Sequence, residues 1–122
     1  MDFAMLTYVS PQGAEAWETM TEEARAAFIG DHEAWFARNR ESITGGHELA
    51  WPRRWGRIAD NQQLTVHDGP FAETKEALGG VILLRTESLE TALEIARGWP
   101  TLEQNNGAVV DVIPLRAESD AR

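Results

Sequence analysis

Gly79-Gly80-Val81-Ile82-Leu83-Leu84 is the most apolar stretch of the chain, and reading it as a central β-strand decides the fold. Upstream of it, Asp68-Gly69-Pro70 breaks the chain sharply, and Ala72 to Leu78 is predicted as one or two turns of helix. Further back, Arg53 to Ala59 and Gln62 to His67 flank Asp60-Asn61, which has the composition of a tight hairpin turn. Leu64 and Val66 alternate with Thr65 and His67, so this arm of the hairpin has one apolar and one polar face. Downstream, Ser88 caps a helix predicted to turn Leu89, Ala92, Leu93, Ala96 and Trp99 inward, with Gly98 and Pro100 as its stop. Val109 to Leu115 is the last strand.

The N-terminal half supplies the remaining elements. Phe3 to Val9 is a first strand ended by a turn at Ser10-Pro11-Gln12-Gly13. Ala14 to Thr19 forms a short helical turn. Thr21-Glu22-Glu23 opens a longer helix: threonine caps the free amides, and the glutamates suit the positive end of the helix dipole. Ala24, Phe28, Trp35 and Phe36 fall on one stripe at steps of three and four, with Gly30 a weak point near Asp31. The helix is expected to stop around Glu41 to Gly45-Gly46, where glycines permit a left-handed residue. His47 to Trp51 is read as a second strand, interrupted by Pro52.

With the hairpin set aside, the order is strand, helix, strand, strand, helix, strand. That is the split βαβ plan, an α+β ferredoxin-like fold. It has a four-stranded antiparallel sheet, both main helices on one face and a β-hairpin inserted. An apolar opposite face needs a cover, and symmetry favours a homodimer packed sheet against sheet. One domain is expected over residues 1–116, followed by a polar tail at 117–122.

Composition narrows the function classes. The chain has 122 residues, 43% hydrophobic and 25% charged, and no cysteine. Disulfides, thiolate metal sites and cysteine nucleophiles are therefore excluded. Twenty acidic against eleven basic residues leave a net charge of −9, which repels phosphate backbones and anionic lipid. Nucleic acid and membrane are accordingly not expected as partners. No apolar run approaches the roughly 20 residues that span a bilayer, and the first residues lack a basic leader, so a cytoplasmic location is expected.

Val66-His67-Asp68-Gly69-Pro70-Phe71-Ala72-Glu73-Thr74-Lys75-Glu76-Ala77-Leu78-Gly79-Gly80 resembles the signature of the DGPF-domain proteins within the YCII-related family. Ala16-Trp17, Thr21-Glu22-Glu23-Ala24, His32 and Phe36 resemble that family's first helical region, and Ser88 to Glu94 its second helix. The resemblance implies a ferredoxin-like fold that dimerises around its sheets as a dimeric α/β barrel. It also implies a histidine and carboxylate acid–base pair acting on small cyclic or aromatic substrates, and an association with extracytoplasmic-function sigma factors. His32 and Asp68 are the two positions that carry over as site residues. The chain departs from the family at His67, where a threonine is common, and at Trp51 to Arg57, where relatives are small and polar.

The residues support more than one reading of the site. His32 lies on the helix's inward stripe; imidazole as a class titrates near working pH and serves as acid or base, yet a core histidine satisfied by a backbone carbonyl fits equally. Asp68 either partners a histidine or makes the turn before Gly69-Pro70. Trp51, Arg53, Arg54, Trp55 and Arg57 are the only basic cluster of an acidic chain. Arginine forks bind carboxylates and phosphates, and tryptophan faces hold flat rings; the same residues also suit anchors at a subunit interface. Trp51, Arg54, Trp55, His67 and Lys75 are the candidate substrate-binding residues. Lys75, with Glu73 and Glu76, reads as readily as a solvated face. His32, His47, His67 and Asp68 offer metal ligands by type, but no HxH, HxxxH or HxxE grouping exists, so no metal is expected. No phosphate loop, dinucleotide fingerprint or other cofactor motif is present, and no cofactor is expected.

Two functions follow. One is a cofactor-independent enzyme moving a proton in an elimination or isomerisation on a small anionic or aromatic molecule, with His32 and Asp68 as its acid–base pair. The other is a non-catalytic module that binds a metabolite or contacts a sigma factor.

Overall fold

A computed structural model describes residues 1–51, 53–69, 71 and 76–117. The elements run β1 (Asp2–Val9), α1 (Pro11–Thr19), α2 (Glu22–Arg38), β2 (Ile43–Glu48), β3 (Arg54–Ala59), β4 (Gln63–Asp68), β5 (Ala77–Arg85), α3 (Leu89–Arg97) and β6 (Val109–Pro114). The sheet has the order β2-β5-β1-β6 and is antiparallel throughout. β3 and β4 form a separate two-stranded ribbon. This is the expected ferredoxin-like plan with its inserted hairpin.

Two of the caps form as their residue types predict. Thr21 Oγ1 accepts from the amide of Ala24 at 3.1 Å, and Ser88 Oγ accepts from Thr91 at 3.2 Å. Ser10 adds a third, accepting from Gly13 and donating to the carbonyl of Asn106. The expected turn at Ser10-Pro11 is in fact the start of a full helix, because proline at the first helical position has no amide to waste. α2 runs unbroken through Gly30.

The core lies between the sheet and the helices. Phe3, Met5, Trp35, Leu84 and Ala92 are fully buried, and Ile82 and Ala96 nearly so. Small residues on α3 let the helix sit close to β1 and β6. The predicted stripes are only partly inward: Ala24 is exposed, Phe36 is 41% exposed and Leu93 47% exposed. α2 buries Trp35 alone, within the cluster of Phe3, Met5, Ile82 and Leu84, and also meets the 3-10 turn at Pro100–Gln104.

The second strand begins earlier than predicted, at Ile43, and Gly45-Gly46 lie inside it rather than ending α2. The register slips between Ile43 and Gly45. Gly46 has φ +145°, and a Cβ there would stand 2.4 Å from the carbonyl oxygen of Val81. Glycine is required here by the close approach of β5, not by a helix stop. Ala77 and Leu78, expected in a helical turn, open β5; Ala72 to Lys75, including Glu73, lie outside the described residues. The hairpin loop is Asp60-Asn61-Gln62, one residue longer than expected, with positive φ at Asn61 and Gln62.

The sheet's other face is largely apolar and carries no helix among the described residues. Leu6, Val81 and Leu83 are half-buried there, while Val109 and Ile113 are 38% and 47% exposed. Among the described residues, no helix is long and apolar enough to cross a membrane.

Candidate functional site

His32 sits one turn before Trp35 on α2. Its Nδ1 lies 2.8 Å from the carbonyl oxygen of Phe28, and its Nε2 lies 2.8 Å from Thr101 Oγ1. A carbonyl only accepts, so Nδ1 carries a proton; in the neutral ring Nε2 is then the acceptor of the threonine hydroxyl. Phe28 packs tilted against the ring at 4.4 Å, and Trp99 meets it edge-on at 4.6 Å. The imidazole is thus held in one orientation with its basic nitrogen facing a hydroxyl.

The hairpin carries the other candidates, on two different faces. Cross-strand pairs share a face, and the pairs Trp55–His67 and Arg57–Thr65 form one of them. His67 stacks on Trp55 at 4.7 Å with 30° between the rings. Arg57 lies 5.4 Å and Arg53 6.0 Å from the Trp55 ring centre. Thr65 Oγ1 is 3.2 Å from His67 Nε2. Trp55 is fixed from behind, its Nε1–H donating to the carbonyl of Gly69 at 2.8 Å. Arg53 anchors the ribbon by donating to the carbonyl of Leu78 at 2.9 Å. Trp51 continues the row, packed edge-on against Phe71 at 5.6 Å with Arg53 at 5.9 Å.

Arg54 and Asp68 are the pair on the opposite face, 3.8 Å apart and both largely exposed. The structure therefore brings Trp55 and His67 together, and Arg54 and Asp68 together, on opposite sides of one ribbon. His32 stands on α2, and no hydrogen bond or ion pair joins it to Asp68 among the described residues. Lys75 lies outside the described residues. No group of three or more potential metal ligands occurs among the described residues.

One polar cluster has no counterpart in the sequence reading. Tyr8 lies on the same face of the sheet as Asp111, its near neighbour on β6. Burial first, then the negative charges of Asp111 and Glu76, hold its phenol above the ordinary tyrosine range. Tyr8 is also the cross-strand neighbour of Leu78, whose carbonyl receives Arg53. Thr101 was likewise not singled out. Both contacts link residues far apart in the chain, so no local pattern marks them.

The fold is shared with a solved protein. A 5-chloro-2-hydroxyhydroquinone dehydrochlorinase (TftG) from Burkholderia phenoliruptrix AC1100, in complex with 2,5-dihydroxybenzoquinone, superposes with a TM-score of 0.58. The superposition covers 95% of this chain and 94% of that one at 14% identity. No curated protein matches the sequence. The sequence matches the YCII-related domain over residues 1–116, nearly its whole length, and the chain belongs to that family.

Proposed function

We propose that this protein is a cofactor-independent acid–base enzyme of the lyase or isomerase type, acting as a cytosolic homodimer on a small anionic or aromatic molecule. The observation that carries the reading is the Trp55–His67 stack set between Arg53 and Arg57. A flat ring finds an aromatic surface there, and its negative charge finds two guanidinium groups in a chain otherwise strongly acidic. Family membership and the dehydrochlorinase fold support a small-molecule enzyme.

His32 and Asp68 are the proposed proton-carrying pair. Nδ1 is committed to the Phe28 carbonyl, which leaves Nε2 as the basic nitrogen. Substrate oxygen or carbon takes the place of the Thr101 hydroxyl in the reacting complex. In an elimination, the base removes a proton, the freed electron pair forms the new double bond, and the leaving group departs with its own pair. Asp68 is the proposed partner acid or base, and Trp51, Trp55 and His67 form the binding face, with Arg54 beside Asp68 on the ribbon's other face. The uncovered apolar face of the sheet supports packing against a second copy.

The test is chloride release from 5-chloro-2-hydroxyhydroquinone, followed by ion chromatography with wild type, His32→Ala and Asp68→Asn. Turnover by wild type, reduced about 100-fold or more in either variant, is expected. Binding without turnover, together with capture of a sigma factor, contradicts the enzyme reading and favours a regulatory module.

A further inference from the structure

The hydroxyl that faces His32 has a chemistry of its own. Thr101 Oγ1 lies 2.8 Å from Nε2, while Nδ1, 2.8 Å from the Phe28 carbonyl, carries a proton. In the neutral ring the threonine O–H therefore donates to the imidazole, and the Phe28 carbonyl orients that imidazole from behind. A hydroxyl, a base within hydrogen-bond reach and a third group orienting the base are the parts of an activated nucleophile. Among the described residues, His32 is the one hydrogen-bond partner of this hydroxyl. Thr101 is also held firmly. Pro100 opens its 3-10 turn, the Leu102 amide donates to the carbonyl of Trp99 at 3.0 Å, and Asn106 beyond the turn receives the Ser10 hydroxyl. His32 and Thr101 are both half-buried, so the pair is walled by protein yet open to solvent.

We propose that Thr101 is a covalent nucleophile with His32 as its base, giving the protein an esterase activity toward small aryl esters. This reaction goes beyond the elimination above and needs neither Asp68 nor the hairpin: there substrate displaces the threonine hydroxyl, here the hydroxyl itself reacts. The walls set the substrate class. Phe28 and Trp99 stand 4.4 and 4.6 Å from the imidazole, and Trp99 meets Trp35 and Phe36 edge-on behind it. A flat aryl group finds aromatic neighbours there. In the first half-reaction Nε2 takes the Thr101 proton as Oγ1 bonds to the ester carbonyl carbon, whose π pair moves onto its oxygen. The Thr101 amide forms no hydrogen bond among the described residues and is left to donate to that oxygen. The pair then re-forms the carbonyl, the bond to the aryl oxygen breaks, and the departing phenoxide takes the proton from Nε2. Water repeats the sequence on the threonyl ester: it gives a proton to Nε2 as its oxygen bonds to the carbonyl carbon. The bond to Oγ1 breaks, Thr101 regains its hydrogen from Nε2, and the carboxylic acid leaves.

The probe is 4-nitrophenyl acetate, with nitrophenol release followed by stopped-flow absorbance and the protein quenched in acid for peptide mass mapping. Exposed imidazoles also attack this ester, so the position of the acetyl group decides, and the absence of cysteine removes thiols as competitors. Wild type is expected to show a burst of nitrophenol and an acetyl group on Thr101, a result that needs no variant to fold. Thr101→Ser should keep the burst, Thr101→Val should lose both burst and adduct, and His32→Gln should slow acylation about 100-fold or more. Wild type without burst or adduct, an acetyl group on His47, His67 or Lys75 but not on Thr101, or a burst that survives in Thr101→Val overturns the proposal. Chloride release is read in a separate assay, so either activity can fail while the other stands.

Discussion

Replacing His32 with alanine tests how far its geometry is a matter of folding. The substitution removes an imidazole held by two ring contacts, at 4.4 Å to Phe28 and 4.6 Å to Trp99, and by two hydrogen bonds of 2.8 Å. Aromatic pairs of this kind contribute about 0.5–1.5 kcal/mol each beyond area burial, and the bond to Thr101 contributes about 1 kcal/mol net. The Phe28 carbonyl stays within the helical ladder, so its loss weighs little. The expected destabilisation is about 2–4 kcal/mol, read as a fall of roughly 1–2 M in the urea midpoint by circular dichroism. Thr101→Val keeps the shape and removes the hydroxyl; in a double-mutant cycle with His32→Ala it should show a coupling of about 1 kcal/mol. A His32→Ala protein within about 0.5 kcal/mol of wild type, or no coupling, would refute the claim that packing and Thr101 fix the ring.

Two glycines should respond in opposite directions. Gly46→Ala puts a methyl 2.4 Å from the Val81 carbonyl at a positive φ, and should cost about 2 kcal/mol or more in chemical denaturation. Gly30→Ala meets nothing within 4 Å inside α2, and should stabilise by roughly 0.5–1 kcal/mol. Tyr8 gives a pH signature. Its phenol titrates above the ordinary value of 10.0 in the folded chain, so the unfolded chain loses that proton first as pH rises. The stability linked to Tyr8 is therefore complete below about pH 10 and falls through the alkaline range above it. Tyr8→Phe should flatten that part of the stability-versus-pH curve, and an unchanged alkaline slope would show that Tyr8 is not its source.

The sheet and its helices were legible because their signals are local. Thr21 and Ser88 cap as their side chains dictate, the Val81–Leu84 run is the core of β5, and the alternation at Leu64–His67 gives the hairpin its two faces. Gly45-Gly46 misled because a glycine pair after a helix looks like a stop, whereas its cause is a neighbouring carbonyl on β5. Ser10-Pro11 held a readable signal, a capping serine before a first-position proline, that a turn also explains. Phe36 and Leu93 were placed inward by periodicity alone, and periodicity does not fix how widely a helix meets its sheet. For the candidate site, the basic aromatic cluster was visible in sequence, but its division between two faces of a ribbon follows from register. The Thr101 contact to His32 and the Asp111 contact to Tyr8 are tertiary, and nothing near either residue announces them.

The proposed site is tested most directly by calorimetric titration of the protein with 2,5-dihydroxybenzoquinone, in wild type, Trp55→Leu and Arg57→Gln. Saturable binding to wild type is expected, weakened about tenfold or more in each variant, a loss of about 1.4 kcal/mol. It should also weaken as salt is added, since the ring's charge is met by arginines on an exposed ribbon. No binding, or binding that neither substitution alters, would contradict the assignment of the Trp55–His67 face as the ligand surface.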